Sequence, residues 1–212
     1  MTKVLFEAQQ LCFHEKICYA NLTIPAEQTT FIVGPSGTGK STLLRLFNAV
    51  LSPTHGTIFF EGRDLATLDT ITLRQQVLLI SQAVYLFDGT IRDNFLQYYA
   101  HRELPLPSDS SMLEFLRLCG VTFPLDATCN TMSGGEKQRV YLAIFLSFQP
   151  RVLMLDEPTS ALDTTTGHQV IANILTFCRQ TGITVLIVSH DQTLTEQFAD
   201  NVLTLERVAG HA

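Results

Sequence analysis

Three stretches of the chain are apolar at nearly every position: TTFIV (29–33), VLML (152–155) and ITVLIV (183–188). Unbroken apolar runs of this length, unlike alternating ones, predict strands buried on both faces, as in a parallel sheet covered by helices. Between them the period changes. After Lys40, the residues Leu43, Leu46, Phe47 and Val50 recur at helical spacing. Over 164–181, Val170, Ile171, Ile174, Leu175 and Cys178 do the same, and Gly182 is placed to end that helix. The middle of the chain differs, because residues 84–148 carry few strand signals. HRELPLPSDSS (101–111) is rich in Pro and Ser and reads as a loop. Ser111-Met-Leu-Glu114 has the form of a capping box, opening a helix that Gly120 would close. The pattern predicts an α/β body (1–83 and 149–212) interrupted by a mostly helical insertion (84–148), with no internal repeat.

Composition narrows this picture. The 212 residues are 46% hydrophobic, enough for one large domain with its own core, while 16% charged residues argue against disorder. The net charge of -6 provides no basic surplus for gripping nucleic acid. The five cysteines are scattered, odd in number and without a CxxC pair, which makes a disulfide framework or a zinc site improbable and fits a reducing compartment. No apolar run reaches the length of roughly 18 residues that a membrane helix needs. The N-terminal MTKVLFEAQQ lacks the features of a signal peptide.

The first candidate chemistry is GPSGTGKS (34–41), which fits G-x-x-x-x-G-K-[ST] and lies where that motif must lie, after a strand pattern and at the opening of a helix. Gly34, Gly37 and Gly39 let the backbone turn its N–H groups inward, where they and the positive helix end can hold polyphosphate. Lys40 is placed to neutralise β- and γ-phosphates, and Ser41 to offer its hydroxyl oxygen to Mg²⁺. The second is VLMLDEP (152–158), a buried strand ending in two carboxylates. Asp156 at its tip is placed to hold Mg²⁺ beside Ser41, since hard cations take oxygen ligands. Glu157 points to where a water would attack, and a positioned carboxylate can orient and polarise that water.

The third is MSGGEKQR (132–139), a flexible polar turn at the mouth of the apolar VYLAIFLSF (140–148). Taken in order, the phosphate loop, Gln82, SGGEKQR, the strand ending in Asp156-Glu157, Ser160-Ala-Leu-Asp163 and a lone His190 after a strand resemble the ATP-binding cassette (ABC) family of ATPases, over residues 4 to 206. The resemblance implies an ABC-type P-loop fold: a mainly parallel β core with helices on both faces, an antiparallel N-terminal β subdomain and a helical subdomain. It implies an Mg²⁺-dependent ATPase whose ATP is held by Gly34, Pro35, Ser36, Gly37, Thr38, Gly39, Lys40, Ser41 and Thr42, with Mg²⁺ on Ser41, Gln82 and Asp156, and with Glu157, His190 and Gln82 as the hydrolytic set. In the family the signature residues, here Ser133, Gly134 and Gly135 on a helix starting near Glu136, bind the γ-phosphate of a second subunit, and Asp163 crosses the same interface. A head-to-tail homodimer on ATP is the expectation.

Two departures stand beside the match. The hairpin before the phosphate loop is short, so that Phe13, with His14 and Tyr19 as rivals, is the candidate to stack on adenine, and Glu27 stands where the family commonly has Gly. With no membrane segment in sight, transport would need a separate integral membrane permease, and the chain is expected to be cytoplasmic, peripheral on the cytoplasmic face of the inner membrane. LFDGTIRDNF (86–95) resembles exporter-type cassettes, although FPLDATCNTM (123–132) lacks the fuller exporter pattern. The compact form resembles bacterial stand-alone subunits, the iron-export type included. An importer subunit is the alternative. An ABC ATPase working on DNA or ribosomes is a further one, although no sustained heptads for a coiled coil separate Ser41 from Ser133.

Overall fold

The computed structural model describes residues 3–14 and 16–206. The apolar runs form the centre of a five-stranded sheet of order β10-β4-β9-β8-β7, comprising β4 (Thr29–Val33), β7 (Val77–Ile80), β8 (Val152–Asp156), β9 (Thr184–Val188) and β10 (Asn201–Thr204), with every pair parallel. Successive side chains on a strand point to opposite faces, and here each face meets a different partner. Ile32, Val152, Met154, Leu186 and Val188 pack with Leu43, Leu44, Leu46 and Phe47 of helix α1 (Lys40–Phe47). Phe31, Leu153, Leu155, Val185 and Ile187 pack with α5 (Gly134–Ser147) and α6 (Thr164–Thr181). The expected arrangement of helices on both faces is therefore present.

A second sheet is antiparallel throughout. β1 (Val4–Phe13) pairs with β2 (Ile17–Cys18), β3 (Leu22–Pro25) and β5 (His55–Phe60), and β5 pairs with β6 (Arg63–Asp64). Its inner residues Leu5, Phe6, Ile24, Ile58 and Phe60 join the same core as α1, with Phe6 stacked on Phe47 at 4.6 Å. Between residues 84 and 148 lie α3 (Ile91–His101), α4 (Asp109–Leu118) and α5, with one isolated bridge between Thr90 and Thr128. The short α2 (Thr70–Gln76) leads into β7, and α7 (Gln192–Phe198) precedes β10. No described helix is long and apolar enough to cross a membrane.

Several local expectations shift. Val50 lies beyond the end of α1 and is exposed, because the helix stops at Phe47 and Ala49 turns to φ +55°. Helix α4 opens at Asp109, two residues before Ser111, capped by Ser108, whose hydroxyl accepts from the Ser111 amide. The Ser111–Glu114 pattern is thus inside the helix. The capping boxes that do form are Thr90–Asp93 and Ser133–Glu136, so α5 begins at Gly134, ahead of Glu136. Gly182 ends α6 in the left-handed conformation, as its position suggested.

The cysteine expectation is overturned in part. Cys12 and Cys18 are disulfide-bonded, with Cα atoms 4.1 Å apart, while Cys119, Cys129 and Cys178 are free and buried. Spacing along the chain concealed this. The β1–β2 hairpin sets Cys12 directly opposite Cys18, and facing side chains of an antiparallel pair share one side of the sheet.

Candidate functional site

Because the large sheet is parallel, the carboxyl ends of its strands share one edge, and ligands of such sheets bind there. The loop after β4 holds Gly34 to Gly39, Gln82 follows β7, Asp156 ends β8 with Glu157 next, and His190 follows β9. Four separated pieces of sequence thus meet at one edge.

The phosphate loop depends on its glycines at two points. Gly34 has φ +145°, and a Cβ there would stand 2.3 Å from the Leu205 carbonyl oxygen. Gly39 has φ +92° and serves as N-cap of α1 without any side-chain cap, so the first amides of that helix carry no side-chain acceptor. Thr38 is buried and donates its hydroxyl to the Pro35 carbonyl at 3.0 Å. Lys40 is 7% exposed, and its ammonium donates to the carbonyls of Gly34 (2.8 Å) and Pro35 (3.1 Å), curled over the loop. Pro35, Ser36 and Gly37 form the exposed rim, and Thr42 is half-buried on the first turn of α1.

Beside this loop, the Ser41 hydroxyl donates to Asp156 Oδ1 at 2.8 Å, and Asp156 is 6% exposed. Two oxygens of these types, at the end of a polyphosphate cradle, fit a hard divalent cation that would take further oxygens from the ligand. Among the described residues no cluster of three or more His, Cys, Asp or Glu offers a self-sufficient metal cage. Mg²⁺ therefore fits here as a phosphate-linked ion.

Glu157 sits in a left-handed backbone conformation, φ +50°, held by its amide donating to the Val188 carbonyl at 3.1 Å. Such a conformation is costly for a residue with a side chain and aims that side chain off the strand direction. Its carboxylate meets two groups from the loops after other strands: Gln82 Nε2 reaches Oε2 at 3.4 Å, and His190 Nε2 stands 3.3 Å from Oε1. The structure thus brings together Gln82, Glu157 and His190, and Ser41 with Asp156. A cavity of about 420 Å³ opens next to them, lined by Val33, Gly34, His190, Asp191 and Glu196 among others.

The signature turn lies elsewhere. Ser133 and Gly134 are exposed, and Gly134 lines a different cleft of about 440 Å³ together with Val84 to Asp88 and Lys137. Asp163 is the N-cap of α6: Oδ1 accepts from the Thr166 amide at 3.0 Å, and these amides hold its carboxyl below the usual range.

On the hairpin, Phe13 is half-buried, with its ring edge-on to His14 at 4.2 Å. Tyr19 is buried, its hydroxyl donates to the Gly39 carbonyl at 2.8 Å, and burial pushes its phenol well up. Its role as a brace under the phosphate loop was invisible in the sequence. Glu27 takes φ +59°, so it tolerates the left-handed turn at a position where the family commonly has Gly, with its amide bound to Thr184 Oγ1. Sequence reasoning also missed Gln138. This buried amide on α5 donates to the Pro158 carbonyl (2.7 Å) and accepts from the Ala161 amide (3.2 Å), tying the signature helix to the loop that carries Glu157. The signal available was a polar residue inside a helix otherwise buried on most sides.

Comparison with known proteins agrees with this geometry. A family profile described as "ABC transporter" matches residues 19–160. The chain is 41% identical over 191 residues to the probable iron export ATP-binding protein FetA of Escherichia coli (strain K12), covering 90% of this chain and 84% of that protein. It is 36% identical to the methionine import ATP-binding protein MetN 2 of Acinetobacter baylyi, covering 90% of this chain and 57% of that one. Among solved structures, a bacterial Atm1-family ABC exporter with ATP bound superposes with TM-score 0.85 at 25% identity, over 97% of this chain and 38% of the other. The cbiO1 protein of Clostridium perfringens, part of a cbiONQ transporter complex, superposes with TM-score 0.82 at 26% identity, over 97% and 86%.

Proposed function

The chain belongs to the ABC transporter family as an ATP-binding, ATP-hydrolysing subunit, and from that premise we propose how its residues perform the reaction and what the reaction drives. ATP lies with its phosphates in the 34–42 loop, and Lys40 exchanges the carbonyls of Gly34 and Pro35 for phosphate oxygens. Ser41 and Asp156, with Gln82, would hold Mg²⁺, which when bound would neutralise charge on the phosphates. Glu157 orients the attacking water and accepts its proton, while His190 and Gln82 hold the carboxylate in place. The contact of Glu157 with both Gln82 and His190, beside the Ser41–Asp156 pair, is the observation that carries this reading.

The reading extends to assembly. Ser133, Gly134 and Gly135, together with Asp163, face a second copy head to tail, so that each signature turn closes on the partner's ATP; Gly134 opening on a cleft other than the one lined by Gly34 and His190 supports this. Phe13 is the residue placed against adenine. The dimer sits on an integral membrane permease at the cytoplasmic face of the membrane, and no nucleic acid takes part. Export is the direction supported by LFDGTIRDNF and by likeness to the iron export subunit. The 36% identity to a methionine import subunit supports import as a second reading.

The test is Glu157→Gln. ATP binding should persist, hydrolysis should fall by on the order of a hundredfold to ten-thousandfold, and an ATP-bound dimer should accumulate on size exclusion. Hydrolysis at the wild-type rate would remove Glu157 from its role.

A further inference from the structure

The β1–β2 hairpin forms the underside of the phosphate loop. The Tyr19 amide donates to the Leu11 carbonyl at 2.8 Å, and its hydroxyl holds the Gly39 carbonyl. A methyl carbon of Ile17 and the Tyr19 hydroxyl stand 2.5 Å and 2.6 Å from where a Cβ on Gly39 would lie. Ile17 faces Phe13 across the hairpin. Ile17 and Cys18 make up the whole of β2, which lies at the sheet edge, and Tyr19 follows it directly. A strand that short has few ladder hydrogen bonds of its own to resist fraying. The Cys12–Cys18 bridge is therefore a principal tie between β2 and the sheet.

We propose that Cys12 and Cys18 form a reversible thiol–disulfide site whose bridge tightens ATP binding, with a small-molecule disulfide of the glutathione class as its oxidant. Closed, the bridge holds β2 so that Ile17 and Tyr19 support Gly39 in its left-handed turn and Phe13 keeps its place at the hairpin tip. Open, that support loosens and the loop spends less time in the shape that receives phosphate. The inference rests on the reading of residues 34–42 as the ATP loop.

The chemistry is thiol–disulfide exchange. The thiolate of one cysteine attacks a sulfur of the oxidant, forming a mixed disulfide and expelling one small thiolate, which takes up the proton lost. The second cysteine then attacks the protein sulfur, expels the second small thiolate, and its proton goes to that group. Two protein thiols are oxidised while one small disulfide is reduced to two thiols, and an excess of the same thiol reverses both steps. The surroundings favour exchange. Cys12 and Cys18 are only half-buried, Lys16 and His14 are exposed in the same turn, and His55 lies opposite Cys12 on β5. The other three cysteines are buried, and burial raises their thiols, that of Cys178 to about 12, so they stay inert.

The experiment equilibrates the full chain in glutathione buffers of opposite poise. It measures ATP affinity by equilibrium dialysis and counts alkylatable thiols by mass after unfolding. The oxidised protein should show two fewer thiols and bind ATP on the order of threefold to tenfold more tightly, from the restraint of closing a short loop. The double variant Cys12→Ser/Cys18→Ser should match reduced wild type in both buffers. Equal thiol counts in the two buffers, or a bridge that forms without changing ATP affinity, would overturn the proposal. Absence of ATP binding in both buffers would refute the phosphate-loop reading itself, which the thiol count keeps distinct from a failure of the bridge to form.

Discussion

Two glycine turns open helices in this chain, and they are finished in opposite ways. At residues 34–41 the helix start has no side-chain cap, Gly39 is wedged over Ile17 and Tyr19, and the nearby lysine is turned onto the loop's own carbonyls. At residues 133–136 the helix start is closed by its own residues. Glu136 Oε2 accepts from the Ser133 amide and hydroxyl, both at 2.8 Å, and Ser133 Oγ accepts from the Glu136 amide at 3.4 Å. Both are anion-prone helix N-termini by composition. The first is shaped from beneath and left open above. The second engages its Ser133 and Glu136 amides with its own side chains, with Gly134 facing open space. The difference separates a turn that is pre-formed for a ligand from one that must first exchange a carboxylate of its own for any anion brought to it.

The largest test of that contrast is steric. Gly39→Val forces a Cβ into Ile17 and Tyr19 at a left-handed φ, and should lower stability by about 3 kcal/mol or more and abolish ATP binding. Gly134→Ala meets no atom within 4 Å and should leave thermal unfolding and single-chain ATP binding near wild type. Equal damage from the two changes would erase the distinction. Next in size is charge. Lys40→Ala should weaken ATP binding by roughly tenfold to a hundredfold by removing a charge-assisted bond, whereas Ser133→Arg should leave binding intact and prevent the ATP-dependent dimer, as read by sedimentation. Dimerisation that survives Ser133→Arg would separate the signature turn from the interface.

Smaller effects sharpen the picture. Tyr19→Phe removes the bond to the Gly39 carbonyl, a loss of about 1 kcal/mol, and should weaken ATP affinity a few-fold while kcat holds. The smallest concerns pH. The Ser133 amide and hydroxyl hold the Glu136 carboxyl below its ordinary range. Its contribution to helix α5 is therefore complete above the ordinary glutamate pKa and is lost as pH falls through the lowered folded value. Glu136→Gln should flatten that acid limb in a denaturation series, and an unchanged limb would show that the cap contributes nothing there.

The legibility of this molecule was uneven for physical reasons. Strands β4, β8 and β9 are buried on both faces, so their sequences are unbroken apolar runs and could be read directly. Helix α6 was bounded correctly because its stripe and its left-handed glycine agree. The placing of Asp156 beside Ser41 was legible from the two motifs and that of His190 beside Glu157 from the family resemblance, since a parallel sheet collects its strand ends, whereas the contact of Gln82 with Glu157 was not foreseen. What escaped notice depends on contacts between distant or cross-strand residues with no periodic trace. The Cys12–Cys18 bridge, the Tyr19 brace and the Gln138 link are of this kind. The start of α4 was misplaced because two serines three residues apart both look like caps, and only the backbone geometry chose Ser108.

Gln138 leaves little play between two parts of the chain that face different clefts. Its side chain grips the backbone on either side of Thr159 and Ser160, and Gly135 lies so close to the Ala161 carbonyl that an added Cβ would stand 3.0 Å from it. A displacement of the signature turn by more than the slack of two hydrogen bonds must therefore drag the segment just after Glu157 along with it. Motion at the polar mouth of α5 and motion of the backbone that follows Glu157 are, mechanically, tied together.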